Sequence, residues 1–138
     1  MIEVFLDASY AIALSSAKDQ YHQRAVALSE KLESERTRLV TARAVIVEIG
    51  NALSKQKYRS AAIELLTSLK DDPTVEIIPL SEELFERAFS FYQSRQDKEW
   101  GITDCISFVI MQDRGLTEAL TADEHFQQAG YRVLLKES

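Results

Sequence analysis

The chain has 138 residues, 46% of them hydrophobic, and a formal net charge of −6 at pH 7. That length is read as one domain, residues 1–138, with a single core. There is no run of roughly 18 apolar residues to cross a membrane, and the acidic balance argues against a protein that coats nucleic acid nonspecifically while leaving a nuclease open.

Four glycines and two prolines leave little room for a linker, and Met1-Ile2-Glu3-Val4 lacks the basic and apolar regions of a signal peptide. The lone Cys105 excludes an internal disulfide and fits a reducing cytoplasm. Residues 2–6 are apolar on both faces and predict a central strand, followed by a short helix over about residues 9–15. Tyr21, Ala25, Leu28 and Leu32 recur at helical spacing and predict a helix from Asp19 to about Glu35. Arg38 to Thr41 reads as a strand, residues 43–57 as a helix with Val45, Ile49, Ala52 and Leu53 on one face, and residues 60–70 as another helix.

Asp71-Asp72-Pro73 ends that helix, and Val75–Ile78 is a strand bounded by Pro79. Ser81 caps the next helix, which runs to about Ser94, with Leu80 placed to staple against Phe85. Gln96–Gly101 is a polar loop containing Trp100. Thr103–Arg114 reads as a helix ended by Gly115. Glu118–Thr121 is a strand, residues 124–129 a helical turn ended by Gly130, and Arg132–Leu135 a last strand. Strands separated by helices predict an α/β fold: a largely parallel sheet with helices on both faces, its ligand site beyond the carboxyl ends of the strands.

Four carboxylates then stand out. Asp7 closes the first strand, Glu48 falls within an apolar stripe, Asp104 lies on the inward face with Phe108 and Met111, and Asp123 follows Leu120-Thr121-Ala122. Each has an ordinary explanation alone. Glu48 pairs with Arg43 or Arg95, or reaches solvent; Asp104 caps its helix; Asp7 and Asp123 serve strand-end turns. Together on one rim, unpaired carboxylates are costly and want divalent cations. Mg²⁺ and Mn²⁺ prefer such oxygens and bridge to phosphates. Ser9, Thr103 and Thr121 stand beside three of the acids, either orienting ligands and waters or serving turns and caps.

These residues carry a resemblance. Val4-Phe5-Leu6-Asp7-Ala8-Ser9, Glu48-Ile49-Gly50-Asn51-Ala52-Leu53, Thr103-Asp104-Cys105-Ile106-Ser107-Phe108 and Leu120-Thr121-Ala122-Asp123-Glu124-His125-Phe126 resemble the ordered motifs of PIN domains. They are most similar to the small bacterial VapC type, the toxins of type II toxin–antitoxin pairs. The resemblance implies a three-layer α/β/α fold around a mainly parallel five-stranded sheet, and a metal-dependent endoribonuclease using Mg²⁺ or Mn²⁺. It also implies that Asp7, Glu48, Asp104 and Asp123 are catalytic and metal-binding, with Asp7 and Asp104 the primary ligands. The expected RNA substrate is single-stranded or structured, possibly tRNA, leaving 5′-phosphate and 3′-hydroxyl ends. Asp97 lies in a loop that such toxins often share and joins Ser9, Thr103 and Thr121 as a supporting or substrate residue. Gly101 stands where many members carry serine. A cognate antitoxin, a homodimer and a cytoplasmic location are further implications, with Trp100 and Phe126 either contact residues or ordinary packing.

Two competing readings remain open. One is a non-catalytic PIN scaffold that binds RNA or protein. The other is a receiver-type signalling domain, which wants an acid pair after the first strand and a lysine after a late one; neither is here. Lys55, Lys57, Tyr58 and Arg59 either hold an RNA backbone and stack a base or form a solvated helix end whose dipole favours cations. His22 and His125 lack zinc spacing, and His125 is either a substrate contact or a packing residue.

Overall fold

The structure, a computed structural model, describes residues 2–137. In chain order the elements are β1 (Glu3–Leu6), α1 (Ala8–Ser15), α2 (His22–Ser34), β2 (Arg38–Ala42), α3 (Arg43–Ala52), α4 (Gln56–Asp71), β3 (Val75–Ile78), α5 (Glu82–Ser94), α6 (Ile102–Arg114), β4 (Glu118–Leu120), α7 (Glu124–Gln128) and β5 (Arg132–Val133), then a 3₁₀ turn over Leu134–Lys136. The strands pair in the order β3-β2-β1-β4-β5, every pair parallel. This is the α/β/α architecture expected from strands alternating with helices. β1 sits in the middle with Val4, Phe5 and Leu6 all buried, as a strand covered on both faces requires.

The strand order reverses once. β1→β2→β3 steps one way across the sheet; β3→β4→β5 returns past β1 and continues the other way. Parallel crossovers are right-handed, so α1–α4 cover one face and α5–α7 the other. The chain therefore leaves β1 and its neighbour β4 towards opposite faces, opening a crevice at their carboxyl ends, the place where ligands bind in such sheets. Leu6 pairs with Leu120, which sets Asp7 beside Thr121.

Several boundaries differ from the sequence expectation, each for a local reason. The break expected between the helices 43–57 and 60–70 falls earlier, at residues 53–55, so that α3 ends at Ala52 and α4 starts at Gln56. The Leu53 backbone departs from helical geometry and Lys55 is extended, while Leu53 tucks into the core and Arg59 Nη2 donates to the Ser54 carbonyl at 2.7 Å. The helix expected from Asp19 begins at His22, because the Asp19 carboxylate accepts from the Tyr21 amide (2.8 Å) and holds a turn there. The last strand stops at Val133: Leu134 and Leu135 both fold into the core, and Leu135 N donates to the Thr121 carbonyl (3.2 Å). Ser81 does cap α5, accepting from Leu84 N at 3.1 Å. Leu80 and Phe85, expected to staple that cap, stay 43% and 40% exposed. Gly115 adopts φ 65° after α6, the left-handed geometry that ends helices.

Trp100 and Phe126 are buried, which makes them packing residues. Trp100 stacks edge-on against Phe108 (centroids 5.1 Å) and donates from Nε1 to Gln128 Oε1 (3.0 Å). Phe108 also meets Phe126 at 5.0 Å, so one aromatic cluster ties α6, α7 and the loop before α6 together.

Candidate active site

Asp7 follows β1 and is buried, a costly position for a carboxylate. Hydroxyls hold it there. Thr121 Oγ1 donates to its Oδ2 at 2.7 Å and Ser9 Oγ at 3.2 Å. Both hydroxyls are themselves fixed: Ser9 Oγ accepts from the Ala122 amide and Thr121 Oγ1 from the Asp123 amide, each at 3.0 Å. Thr41, fully buried at the end of β2, donates to the Leu6 carbonyl at 2.7 Å and pins the backbone beside Asp7. Burial pushes the Asp7 carboxyl above the usual range; the Thr121 and Ala8 hydrogen bonds oppose this, and the charges of Asp104 and Asp123 add to it.

Asp104 lies in the first turn of α6, and its Oδ2 accepts from the Gly101 amide at 3.0 Å. The capping explanation is thus realised, yet the same oxygen is 2.9 Å from Nδ1 of His125. That imidazole nitrogen is also 3.5 Å from Asp123 Oδ1, an oxygen that accepts from the His125 amide at 2.9 Å and caps α7. Ligand atoms of Asp104, Asp123 and His125 all lie within 4.8 Å of one another. Burial raises the Asp104 carboxyl; Gly101 and His125 counter it and the Asp123 charge reinforces it.

Glu48 is exposed, not in the apolar stripe as expected. Val45, Ile49 and Leu53 form that stripe, and Glu48 stands at its flank. Neither Arg43 nor Arg95 pairs with it; Arg95 is bonded to Asp97 instead. The carboxyl of Glu48 is nonetheless pushed up to about 7, first by partial burial and then by the charges of Asp7, Asp104 and Asp123. Exposure of the residue and desolvation of its carboxyl are compatible, because the acid end is turned towards the other three.

All four acids therefore share one rim. Asp97 stands apart from them, taken bidentately by Arg95 (2.9 and 3.0 Å) on an exposed loop. Thr103 uses only its carbonyl, accepting from Ser107 Oγ at 3.0 Å. Sequence reasoning left His125 between a substrate contact and a packing residue, and did not single out Thr41. The signal for His125 was its spacing, two residues after an acid on a capped helical turn. A concavity of about 570 Å³ lies elsewhere, at the amino ends of β2 and β3 around Tyr10, Thr37 and Thr74. An acidic rim rather than an enclosed hollow suits a polymer strand better than a small molecule.

The PIN domain family model matches residues 4–130. The chain belongs to the PIN-domain family. It is 25% identical over 128 residues to the 23S rRNA-specific endonuclease VapC20 of Mycobacterium tuberculosis, covering 93% of this chain and 95% of that one. The crystal structure of Mycobacterium tuberculosis VapC20, described as a Sarcin-Ricin loop cleaving toxin, superposes with a TM-score of 0.81 at 23% identity over 93% and 95% of the two chains. A structure of VapBC2 from Rickettsia felis, bound to a DNA fragment from their promoter, superposes at 0.68 with 14% identity over 96% of each chain. These likenesses fix the PIN fold for this chain. No helix among the described residues is long and apolar enough to cross a membrane.

Proposed function

We propose that this chain, acting as one PIN domain, is a divalent-metal-dependent endoribonuclease and the toxin of a cytoplasmic toxin–antitoxin pair. The observation that carries this reading is the convergence of Asp7, Glu48, Asp104 and Asp123 at the reversal point of the sheet, with three of the four carboxyls raised by burial and mutual repulsion. Mutual repulsion of this kind is relieved by a bound cation. Its all-oxygen donor set suits Mg²⁺ or Mn²⁺, and those four carboxylates are the ones to hold it. Bound there, the ion supplies a water of lowered pKa and neutralises charge on the phosphoryl group.

The chain's own residues do the rest. Thr121 and Ser9 aim Asp7 by donating to it, and the Thr121 bond opposes the rise that burial imposes on its carboxyl. His125 holds Asp104 and Asp123 at one spacing. Glu48, exposed at the edge of the cluster, accepts or releases a proton near neutral pH. The Ser9 and Thr121 hydroxyls are engaged with Asp7, so water is the attacking group in this reading; it adds to phosphorus as the bond to the 3′-oxygen breaks, and the 3′-oxygen takes a proton, leaving 5′-phosphate and 3′-hydroxyl ends. The likeness to a 23S rRNA-specific endonuclease supports an exposed ribosomal RNA loop as the first substrate to try, with transfer RNA second.

Partners follow from the same likeness and from one surface. Phe85, Phe89 and Tyr92 recur on α5, each at least 40% exposed, stacked on one another at 6.1 and 6.4 Å. An apolar ladder of that kind suits a second copy of the chain, giving a homodimer. An antitoxin covering the acidic rim completes the assembly.

Titration with Mn²⁺ tests the catalytic reading against a non-catalytic PIN scaffold. The native chain should bind the ion, and Asp7→Asn and Asp104→Asn should each weaken it at least tenfold with the fold retained. Equal, feeble binding in all three would favour the scaffold.

A further inference from the structure

The four acids pose a difficulty for any RNA-cutting reading. They repel the phosphodiester they must approach, on a chain whose net charge is already −6. Residues 49–63 contain no acid, yet carry Lys55, Lys57 and Arg59. All three are exposed, and none lies within salt-bridge distance of a carboxylate among the described residues. Arg38, Arg87, Arg95, Lys98, Arg114 and Arg132 are paired, while other cations share the unpaired state, so it is the clustering of three with an aromatic in five residues that sets this segment apart.

Their position in the fold is informative. If the helix ran over 43–57, these cations would close it, where the helix dipole favours positive charge. It does not: α3 ends at Ala52, and Lys55 is the residue that caps the start of α4. Lys57 and Arg59 fall in the first turn or just beyond, where the dipole disfavours cations and where no acid is present. The arrangement costs stability rather than adding it. Local rules are broken in this way where function requires it. Arg59 alone has a structural bond, to the Ser54 carbonyl.

The same element lies at the site's end of the sheet. α4 ends at Asp71, next to the amino ends of β2 and β3, since Leu39 N donates to the Thr74 carbonyl at 2.9 Å. Its 16 residues span about 24 Å. The helix returns the chain to the start of a parallel strand, so it begins at the carboxyl end, the end that holds the acids. Glu48 is on α3, only about one helical turn before that helix's end. Tyr58 is 39% exposed, with Lys57 Nζ 5.0 Å from its ring centre.

Resting on the nuclease reading, we infer that Lys55, Lys57, Tyr58 and Arg59 form a single-stranded RNA grip that seats the strand against the acidic rim. The cations take phosphates flanking the cleaved bond, and Tyr58 stacks one unpaired base. The surface is thus a positioning site outside the acid cluster, and it favours looped or single-stranded RNA over duplex, whose bases offer no free face to stack on.

The test uses the full chain carrying Asp7→Asn, so that RNA is not consumed, and a labelled single-stranded RNA of about 12 nucleotides, within the span such surfaces cover. Binding is measured by anisotropy over a range of salt. Converting Lys55, Lys57 and Arg59 to Gln should lower the slope of log K against log salt by about 2, roughly 0.7 per cation. The Lys55→Gln/Lys57→Gln pair, which spares the Arg59 bond, should lower it by about 1.4. Tyr58→Ala should weaken binding about fivefold or more, with Tyr58→Phe restoring it. Mn²⁺ binding should be unchanged by the grip substitutions in the chain with Asp7 intact.

Unchanged RNA affinity and slope in the triple variant would overturn the inference. So would loss of polyglutamate binding with RNA binding intact, which would assign the surface to an acidic polypeptide. The two readings separate cleanly. A native chain that never cleaves RNA, yet binds it with a slope set by these cations, keeps the grip and loses the nuclease. One that cleaves with the same KM in the triple variant keeps the nuclease and loses the grip.

Discussion

Nδ1 of His125 lies 2.9 Å from Oδ2 of Asp104, so a residue of α7 holds a carboxylate of α6 across the candidate site. Burial disfavours the charged imidazole, but the Asp104 hydrogen bond and the charges of Asp123, Asp104 and Glu124 outweigh it and raise its pKa from 6.5. The raised acids around it share this direction. Asp7 and Asp104 rise from 3.8, and Glu48 goes from 4.5 to about 7.

The metal-free protein should therefore lose stability as pH rises. A group whose folded pKa is raised binds its proton more tightly in the folded state. Its contribution is complete below the unfolded value and disappears as pH climbs through the folded value. For Glu48 the window runs from 4.5 to about 7, and His125 adds a loss above 6.5. Urea midpoints of metal-free protein across this range should fall, and Glu48→Gln should flatten part of the fall. Saturating Mn²⁺ should flatten it further, adding about 2.7 kcal/mol at a hundredfold excess over Kd. A midpoint that rises through the window would contradict the site's electrostatics.

Thr121→Val keeps the shape of a fully buried side chain and removes a hydroxyl that donates to Asp7 and accepts from the Asp123 amide. Leaving those two groups unpaired should cost about 1–3 kcal/mol of stability and weaken metal binding about 10- to 100-fold. Thermal melting with and without Mn²⁺ separates the two effects. Undiminished metal affinity would remove Thr121 from the site's supporting network.

Much of this site was legible because its residues break the rules of stability. An acid closing an apolar strand, as Asp7 does, is visible without coordinates. The order of β-helical units gave the parallel sheet, and with it the shared rim. Other features were hidden because they depend on backbone breaks or on distant partners. Spacing alone puts Glu48 within the apolar stripe of its helix, yet it sits at the flank of that stripe and is exposed. The break at Leu53 rests on tertiary packing of that leucine, and no proline or glycine marks it. Asp97 stood near the Asp104 motif in sequence but is drawn to Arg95. His125 needed α6 and α7 side by side before its role could be seen.

Trp100, in a stretch that looks exposed, is a packing residue wedged among Phe91, Phe108 and Arg95. Trp100→Ala should destabilise the fold by about 3–5 kcal/mol, measured by denaturant unfolding. A loss below about 1 kcal/mol, the range of exposed positions, would contradict its burial.

The stacked Phe85, Phe89 and Tyr92 on α5 lead to a separate expectation. Phe89→Glu introduces a charge in the middle of an exposed ladder and should shift sedimentation from dimer to monomer with melting little changed. A dimer that survives this substitution would place the self-association surface elsewhere.

The most direct measurement is cleavage of purified ribosomal and transfer RNA by antitoxin-free protein in Mg²⁺ or Mn²⁺, beside EDTA and Asp104→Asn controls. Discrete fragments that vanish in both controls and carry 5′-phosphate ends are the predicted result. Folded, antitoxin-free protein that binds Mn²⁺ and cuts neither RNA, or fragments that persist in Asp104→Asn, would contradict it.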